Sequence, residues 1–114
     1  MIAVIFEFTA AGAKRDEYLE LAGALNAAVK DFDGFLGIER FQSPSNPDRY
    51  VSLSFWRDED AVRKWRNMQK HREAQARGRG GIFSAYRLRV CQVIRDYTHD
   101  SRSEAPKDSI AVHG

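Results

Sequence analysis

The chain has 114 residues, enough for one domain, and sets 18 Lys and Arg against 16 Asp and Glu. That near-balance excludes a general nucleic-acid binder, and no apolar run approaches the roughly 18 residues that span a bilayer. The single cysteine, Cys91, has no partner in the chain, and it fits a reducing compartment.

Residues 2–9 alternate: Ile2, Val4, Phe6 and Phe8 on one parity, Ala3, Ile5 and Glu7 on the other. This period-2 pattern predicts a strand with apolar groups on both faces. The opening MIAVIFEF has no basic n-region, so a soluble cytoplasmic protein is expected rather than a signal peptide. Ala10, Ala11 and Gly12 break the strand. Residues 13–32 carry Tyr18, Ala22, Leu25, Val29 and Phe32 on one stripe, which predicts a helix that lies on a sheet. Gly34 is expected to close that helix at C′.

FLGIERFQ at 35–42 and RYVSLSFW at 49–56 predict a hairpin around the turn SPSNPD. Asp58 is expected to N-cap a second helix, with acid in its first turn. Asn67 is expected to cap a further helical segment and bend the path. Gly78, Gly80 and Gly81 break it, without the spacing of a phosphate loop. Residues 83–97 predict a last strand, long for a small sheet. The domain is expected to end at residue 97. Residues 98–114 read as a polar tail, in which Ile110 and Val112 could add a short edge pairing.

A βαββαβ chain of this kind is α+β, with both helices on one face of a four-stranded antiparallel sheet. Leaving about eight large side chains wet on the other face would forfeit on the order of 10–20 kcal/mol, at roughly 1.5–3 kcal/mol each. A homodimer is therefore expected, with two sheets packed face to face and the long last strand exchanged.

The opening strand, the DGF after the first helix, FWRDEDAVRKW followed by His71, and the closing AYRLRVCQVIRDY resemble the antibiotic biosynthesis monooxygenase (ABM) superfamily over residues 1–97. The resemblance implies a ferredoxin-like dimer with a barrel-like assembly and a pocket between helices and sheet. Some members oxidise polycyclic phenols with oxygen alone; others bind and degrade haem. The haem branch requires an Asn on the first strand and a His ten residues after a Trp. Here Trp65 is followed ten residues on by Gln75, and the first strand offers Phe6 and Glu7, so haem is disfavoured. His71 would be a haem ligand only in another register.

The phenol-oxidising branch fits Trp65 and, six residues on, His71, although Ala61 stands where that branch has an Asn. The resemblance then implies a cofactor-independent monooxygenase for a small aromatic, phenolic or quinone-type molecule. His71 would be the base and Trp65 would shape the pocket. Arg72 and Arg87 would hold the anion, and Phe83 and Tyr86 are candidate substrate contacts. Each has a plainer reading: Trp65, Phe83 and Tyr86 as core or interface, His71 as a surface or capping group, Arg72 as part of a solvated face, and Arg87, Arg89 and Arg95 as lining the edge of the dimer or pairing with Glu7, Glu39 and Asp96. On one ideal helix His71 lies 240° round from Trp65, so a bend near Asn67 is needed to join them.

Cys91 reads as buried and inert. No metal is expected, because His99 and His113 lack a second ligand at metal spacing. The competing functions are a non-catalytic ligand-binding dimer and an RNA-binding module of the same topology. RYVSLSFW lacks the glycine that such an RNA-binding strand needs.

Overall fold

The computed structural model describes residues 1–77, 81 and 83–114, the side chains of residues 69–77 excepted. Strands β1 (Ile2–Thr9), β2 (Phe35–Gln42), β3 (Arg49–Trp56) and β4 (Ala85–Gln92) form one antiparallel sheet in the order β2-β3-β1-β4. Helix α1 (Ala13–Val29) connects β1 to β2, and α2 (Glu59–Arg77) follows β3. A short α3 (Lys107–His113) comes after the sheet. This is the expected ferredoxin-like βαββαβ order. The central position of β1 explains its two apolar faces, since it pairs with β3 on one side and β4 on the other.

Even-numbered residues of β1 and β3 face the helices, where two clusters form the core. At one end Ile2, Trp56, Val29, Ala61, Val62 and Trp65 are buried together. At the other, Phe8, Ala10, Tyr18 and Ala22 are buried, with Phe6, Tyr50 and Phe83 against them. A serine sits deep in this apolar layer for a physical reason. The buried Trp56 indole needs an acceptor, and its Nε1–H donates to the Ser54 hydroxyl at 2.9 Å.

Asp58 caps α2 as expected, its Oδ1 accepting from the Ala61 N–H at 2.9 Å. Arg57 donates to both Asp33 oxygens at 3.0 and 3.2 Å, which ties the exit of β3 to the entry of β2. The neighbouring backbone approach needs Gly34. Its φ is +88°, and an added Cβ would stand 2.5 Å from the Ala61 Cβ.

Several boundaries differ from expectation. Helix α1 stops at Val29, not residue 32, and Lys30 closes it with an N–H donated to the Asn26 carbonyl. Phe32 instead turns inward, edge-on to Trp65 (5.5 Å) and Trp56 (6.3 Å). Gly34 is left-handed but lies in the turn beyond, so it is not the C′ residue. Helix α2 runs without a break through Asn67, so no second capped segment begins there. The glycine break falls partly on Gly78 and Gly80, outside the described residues.

β4 ends at Gln92 and is as short as its neighbours, which removes strand length as an argument for exchange. Its partner runs out: the Val93 N–H already reaches the Met1 carbonyl, at the start of β1. The segment read as a tail carries α3, so Ile110 and Val112 lie on a helix and make no edge pairing.

Candidate functional site

The register decides which side chains share a face. Val90, Leu88 and Tyr86 stand opposite Val4, Phe6 and Phe8, so they point to the helix-bearing side. On β1 and β3 that side is closed: Ile2, Phe8, Ser52, Ser54 and Trp56 are buried. On β4 it is open. Tyr86 is 69% exposed, Leu88 53% and Val90 43%. A half-open apolar floor results, made by Val4, Phe6, Tyr86, Leu88 and Val90. An aromatic wall rises at one end, where Phe6 packs against Phe83 (5.4 Å, edge-on), Phe8 (5.0 Å) and Tyr86 (5.9 Å). Val4 packs against the Trp65 cluster at the other end.

Among the sequence-derived candidates, Phe83 and Tyr86 meet at Phe6. Trp65 is buried on the same side of the sheet, edge-on to Phe32 and tilted against Trp56 at 6.1 Å. The side chains of His71 and Arg72 lie outside the described residues. Arg87 stands on the other face, because it pairs opposite Glu7 while Tyr86 pairs opposite Phe8. The structure therefore groups Trp65, Phe83 and Tyr86 on one side and separates Arg87 from them. Phe6, Leu88 and Val90 were missed as site residues. Their signal was parity: they share the even-numbered face with Tyr86.

The large exposed groups expected on the helix-free face are thus divided between the two faces. That face carries Ala3, Ile5, Val51, Leu53, Phe55 and Cys91, buried or partly covered, and the exposed Phe41. At its β1–β4 end lies a groove of about 280 Å³ lined by Glu7, Phe8, Thr9, Arg49, Ala85, Tyr86 and Arg87. The Glu7 carboxylate accepts there from Arg89 at 3.0 Å, one of the alternatives open in the sequence, and from Arg49 at 3.2 Å, which the sequence did not point to.

Tyr18 anchors the aromatic end. Its ring lies 4.4 Å from Phe8 and 5.9 Å from Phe83. Its hydroxyl is buried without a hydrogen-bond partner among the described residues. Burial pushes this phenol above its ordinary range, against the opposing charge of Arg40. Among the described residues, no cluster of three or more His, Cys, Asp or Glu could hold a metal ion, and no helix is long and apolar enough to cross a membrane.

The sequence pattern of the family described as antibiotic biosynthesis monooxygenase matches residues 1–77. The chain belongs to that family. Among ABM relatives, it is 43% identical over 93 residues to the jasmonate monooxygenase ABM of Pyricularia oryzae. The match covers 82% of this chain and 43% of the relative, so the chain spans less than half that protein's length.

The ABM fold is shared with solved structures. A putative antibiotic biosynthesis monooxygenase from Deinococcus radiodurans superposes with a TM-score of 0.74 at 12% identity, over 86% of this chain and 97% of that one. SnoaB, a cofactor-independent oxygenase from Streptomyces nogalater, gives 0.65 at 18%, over 83% and 94%. MhuD, solved with two manganese protoporphyrin IX molecules per active site, gives 0.69 at 17%, over 86% and 99%.

Proposed function

We propose that this ABM protein is a homodimeric, cofactor-independent monooxygenase of a small cyclic, largely apolar molecule. Phenolic and quinone-type compounds are the first class, and jasmonate, named for the 43% identical relative, is the second compound to assay. The observation that carries the reading is the open apolar floor on β4. Tyr86, Leu88 and Val90 are exposed on the side where Ile2, Phe8, Ser52, Ser54 and Trp56 are buried under the helices. A site of this kind takes its ligand by apolar area and ring stacking.

The chemistry asks little of a cofactor when the substrate is electron-rich. A phenolate gives its electrons to oxygen directly. A ring CH₂ becomes C=O, one oxygen atom enters the product, and the other leaves as water. The protein's part is to remove the phenol proton, exclude water and hold the ring. His71 is the proposed base, with Trp65 shaping the wall, Arg72 holding the anion, and Phe83 and Tyr86 against the ring. Arg87, on the opposite face, is not assigned to the ring.

Haem is the weaker reading. At the β1 position where a haem-degrading relative would need an amide, Phe6 is packed into three aromatic rings and offers no polar group. A dimer through the helix-free face supports the same function, because Ile5, Val51, Leu53 and Phe55 are only partly covered within one chain.

The test is oxygen uptake with reduced quinones, phenols and jasmonate by the wild type, Tyr86→Ala and His71→Ala. Turnover by the wild type with a raised KM in Tyr86→Ala and a lost kcat in His71→Ala is expected. Ligand binding without oxygen uptake by the wild type would leave a binding protein. Equal rates in His71→Ala would remove that residue as the base.

A further inference from the structure

We infer that the open floor on β4 selects a ring that carries a saturated, unbranched chain. The ring lies at the Phe6–Phe83–Tyr86 end and the chain runs along Leu88 and Val90. The inference rests on the monooxygenase reading above and names the shape of molecule that its site takes.

The floor changes character along its length. Antiparallel register sets Phe8 opposite Tyr86, Phe6 opposite Leu88 and Val4 opposite Val90. Rings gather around the first pair. Phe83 lies 5.4 Å from Phe6 and 4.9 Å from Phe8, and Tyr86 lies 5.9 Å from Phe6. Such rings meet a ligand ring offset or edge-on, with a gain beyond area alone. Past Phe6 the aromatic surface of the floor ends. Leu88, Val90 and Val4 are branched aliphatic groups, which offer area and dispersion but no ring face to stack on.

Depth changes in step. Tyr86 is 69% exposed, Leu88 53% and Val90 43%, so cover increases toward the aliphatic end. There Val4 packs against the buried cluster of Ile2, Trp56 and Trp65, which backs that end of the floor. The side chains of Val4, Phe6, Leu88 and Val90 carry no hydrogen-bonding group, so this stretch offers a polar substituent nothing in return for its desolvation. The next side chain of β4 on the same face is the exposed Gln92, opposite Ile2. From Tyr86 to Gln92 the strip runs about 20 Å at roughly 3.3 Å per residue.

This gradient separates two shapes of ligand. A flat fused-ring molecule would lay its far rings on Leu88 and Val90, where no aromatic face meets them. An alkylated ring matches both stretches. Its ring stacks at the end next to solvent, and its methylenes take the more covered strip. That strip is one edge strand wide, with Val4 and Phe6 beside it on a strand about 4.8 Å away, a width that suits a single chain.

The experiment is calorimetric titration under nitrogen of hydroquinones bearing methyl, butyl, hexyl and octyl chains, below their micelle concentrations, into the wild type, Leu88→Asn and Val90→Thr. A fused-ring phenol without a chain is titrated beside them. Thermal unfolding confirms that the variants fold. The wild-type Kd is expected to fall about twofold to fourfold per added methylene, until the chain reaches Gln92. In both variants that dependence should become shallower. In air, oxygen uptake on the same series should show KM falling in parallel with kcat nearly constant, because the ring keeps its place. A Kd independent of chain length, a length dependence that neither variant changes, or a fused-ring phenol that outbinds every alkylated ring would overturn the inference. Chain-dependent binding with no oxygen uptake overturns the monooxygenase reading and leaves the chain-selective floor standing. Oxygen uptake indifferent to chain length does the reverse.

Discussion

Substituting Gly34 by alanine tests the closest approach in the fold. The position has φ +88°, and the new Cβ would face the Ala61 Cβ at 2.5 Å. A left-handed conformation costs a non-glycine residue roughly 1–2 kcal/mol. Overpacking against a buried methyl on a capped helix turn adds about 1–3 kcal/mol. The reduced freedom of alanine in the unfolded chain offsets about 0.4–1 kcal/mol. The net loss is about 1–4.6 kcal/mol, or very roughly 4–18 °C in Tm for a domain of this size. Urea and thermal denaturation measure it directly. A second variant separates the two causes. Ala61→Gly in the Gly34→Ala background removes the clash and leaves the dihedral penalty, so a favourable coupling of about 1–3 kcal/mol is expected from the double-mutant cycle. A drop in Tm below about 2 °C, or zero coupling, would refute the account of why glycine stands here.

Other outcomes follow from the same packing. Tyr18→Phe removes a buried hydroxyl without a hydrogen-bond partner among the described residues and should raise stability by about 1 kcal/mol in urea titration; a loss of that size would mean that the neighbouring Arg40 or an ordered water satisfies the group. Trp65→Ala should cost about 3–5 kcal/mol, whereas Tyr86→Ala, on a mostly exposed ring, should move Tm little while impairing substrate binding. The carboxyls of Asp33 (bonded by Arg57), Asp58 (by the Ala61 N–H) and Asp60 (by Arg63 and Lys64) are held below their ordinary value of 3.8. A depressed native pKa stabilises the fold above the unfolded value and is lost as pH falls through the native one. Tm should therefore fall below pH 3.8, and less so in Asp33→Asn.

The order of elements was legible because alternation and the 3.6-residue stripe are local signals. Tyr18, Ala22 and Val29 are buried on the stripe that their spacing marks, and Asp58 caps α2 as its type suggests. What misled was every boundary set by a distant residue. Phe32 continues the stripe of α1, yet the chain leaves the helix because Trp56 and Trp65 wait below. Val93, Ile94 and Tyr97 continue the strand pattern of β4, but β1 begins at Ile2 and supplies no further partner. The α3 helix had its own signs: Pro106 ahead of the first turn, Asp108 within it and a left-handed Gly114 at its end. They were hidden by a composition that reads as a tail.

The candidate site was less legible, because facing is fixed by register and not by residue type. Arg87 and Tyr86 are adjacent in sequence and both suit an aromatic anion. One peptide unit separates them, and in a strand that sends them to opposite faces. The same step divides the two tasks proposed for the sheet. Even-numbered residues of β4 meet the helix side, where an open apolar floor can hold a ring. Odd-numbered residues meet the helix-free face, where arginines gather around Glu7. A one-residue shift of β4 against β1 would put Arg87 and Arg89 under the helices and Tyr86 and Leu88 in the charged groove, exchanging both functions at once. The ion pair from Arg89 to Glu7 and the packing of Tyr86 on Phe6 oppose that shift from either side of the sheet. The double substitution Glu7→Gln with Phe6→Ala should therefore loosen β4 more than the sum of its parts. Hydrogen exchange of the Leu88 and Val90 amides reads that loss, and strictly additive rates would show that neither contact sets the register.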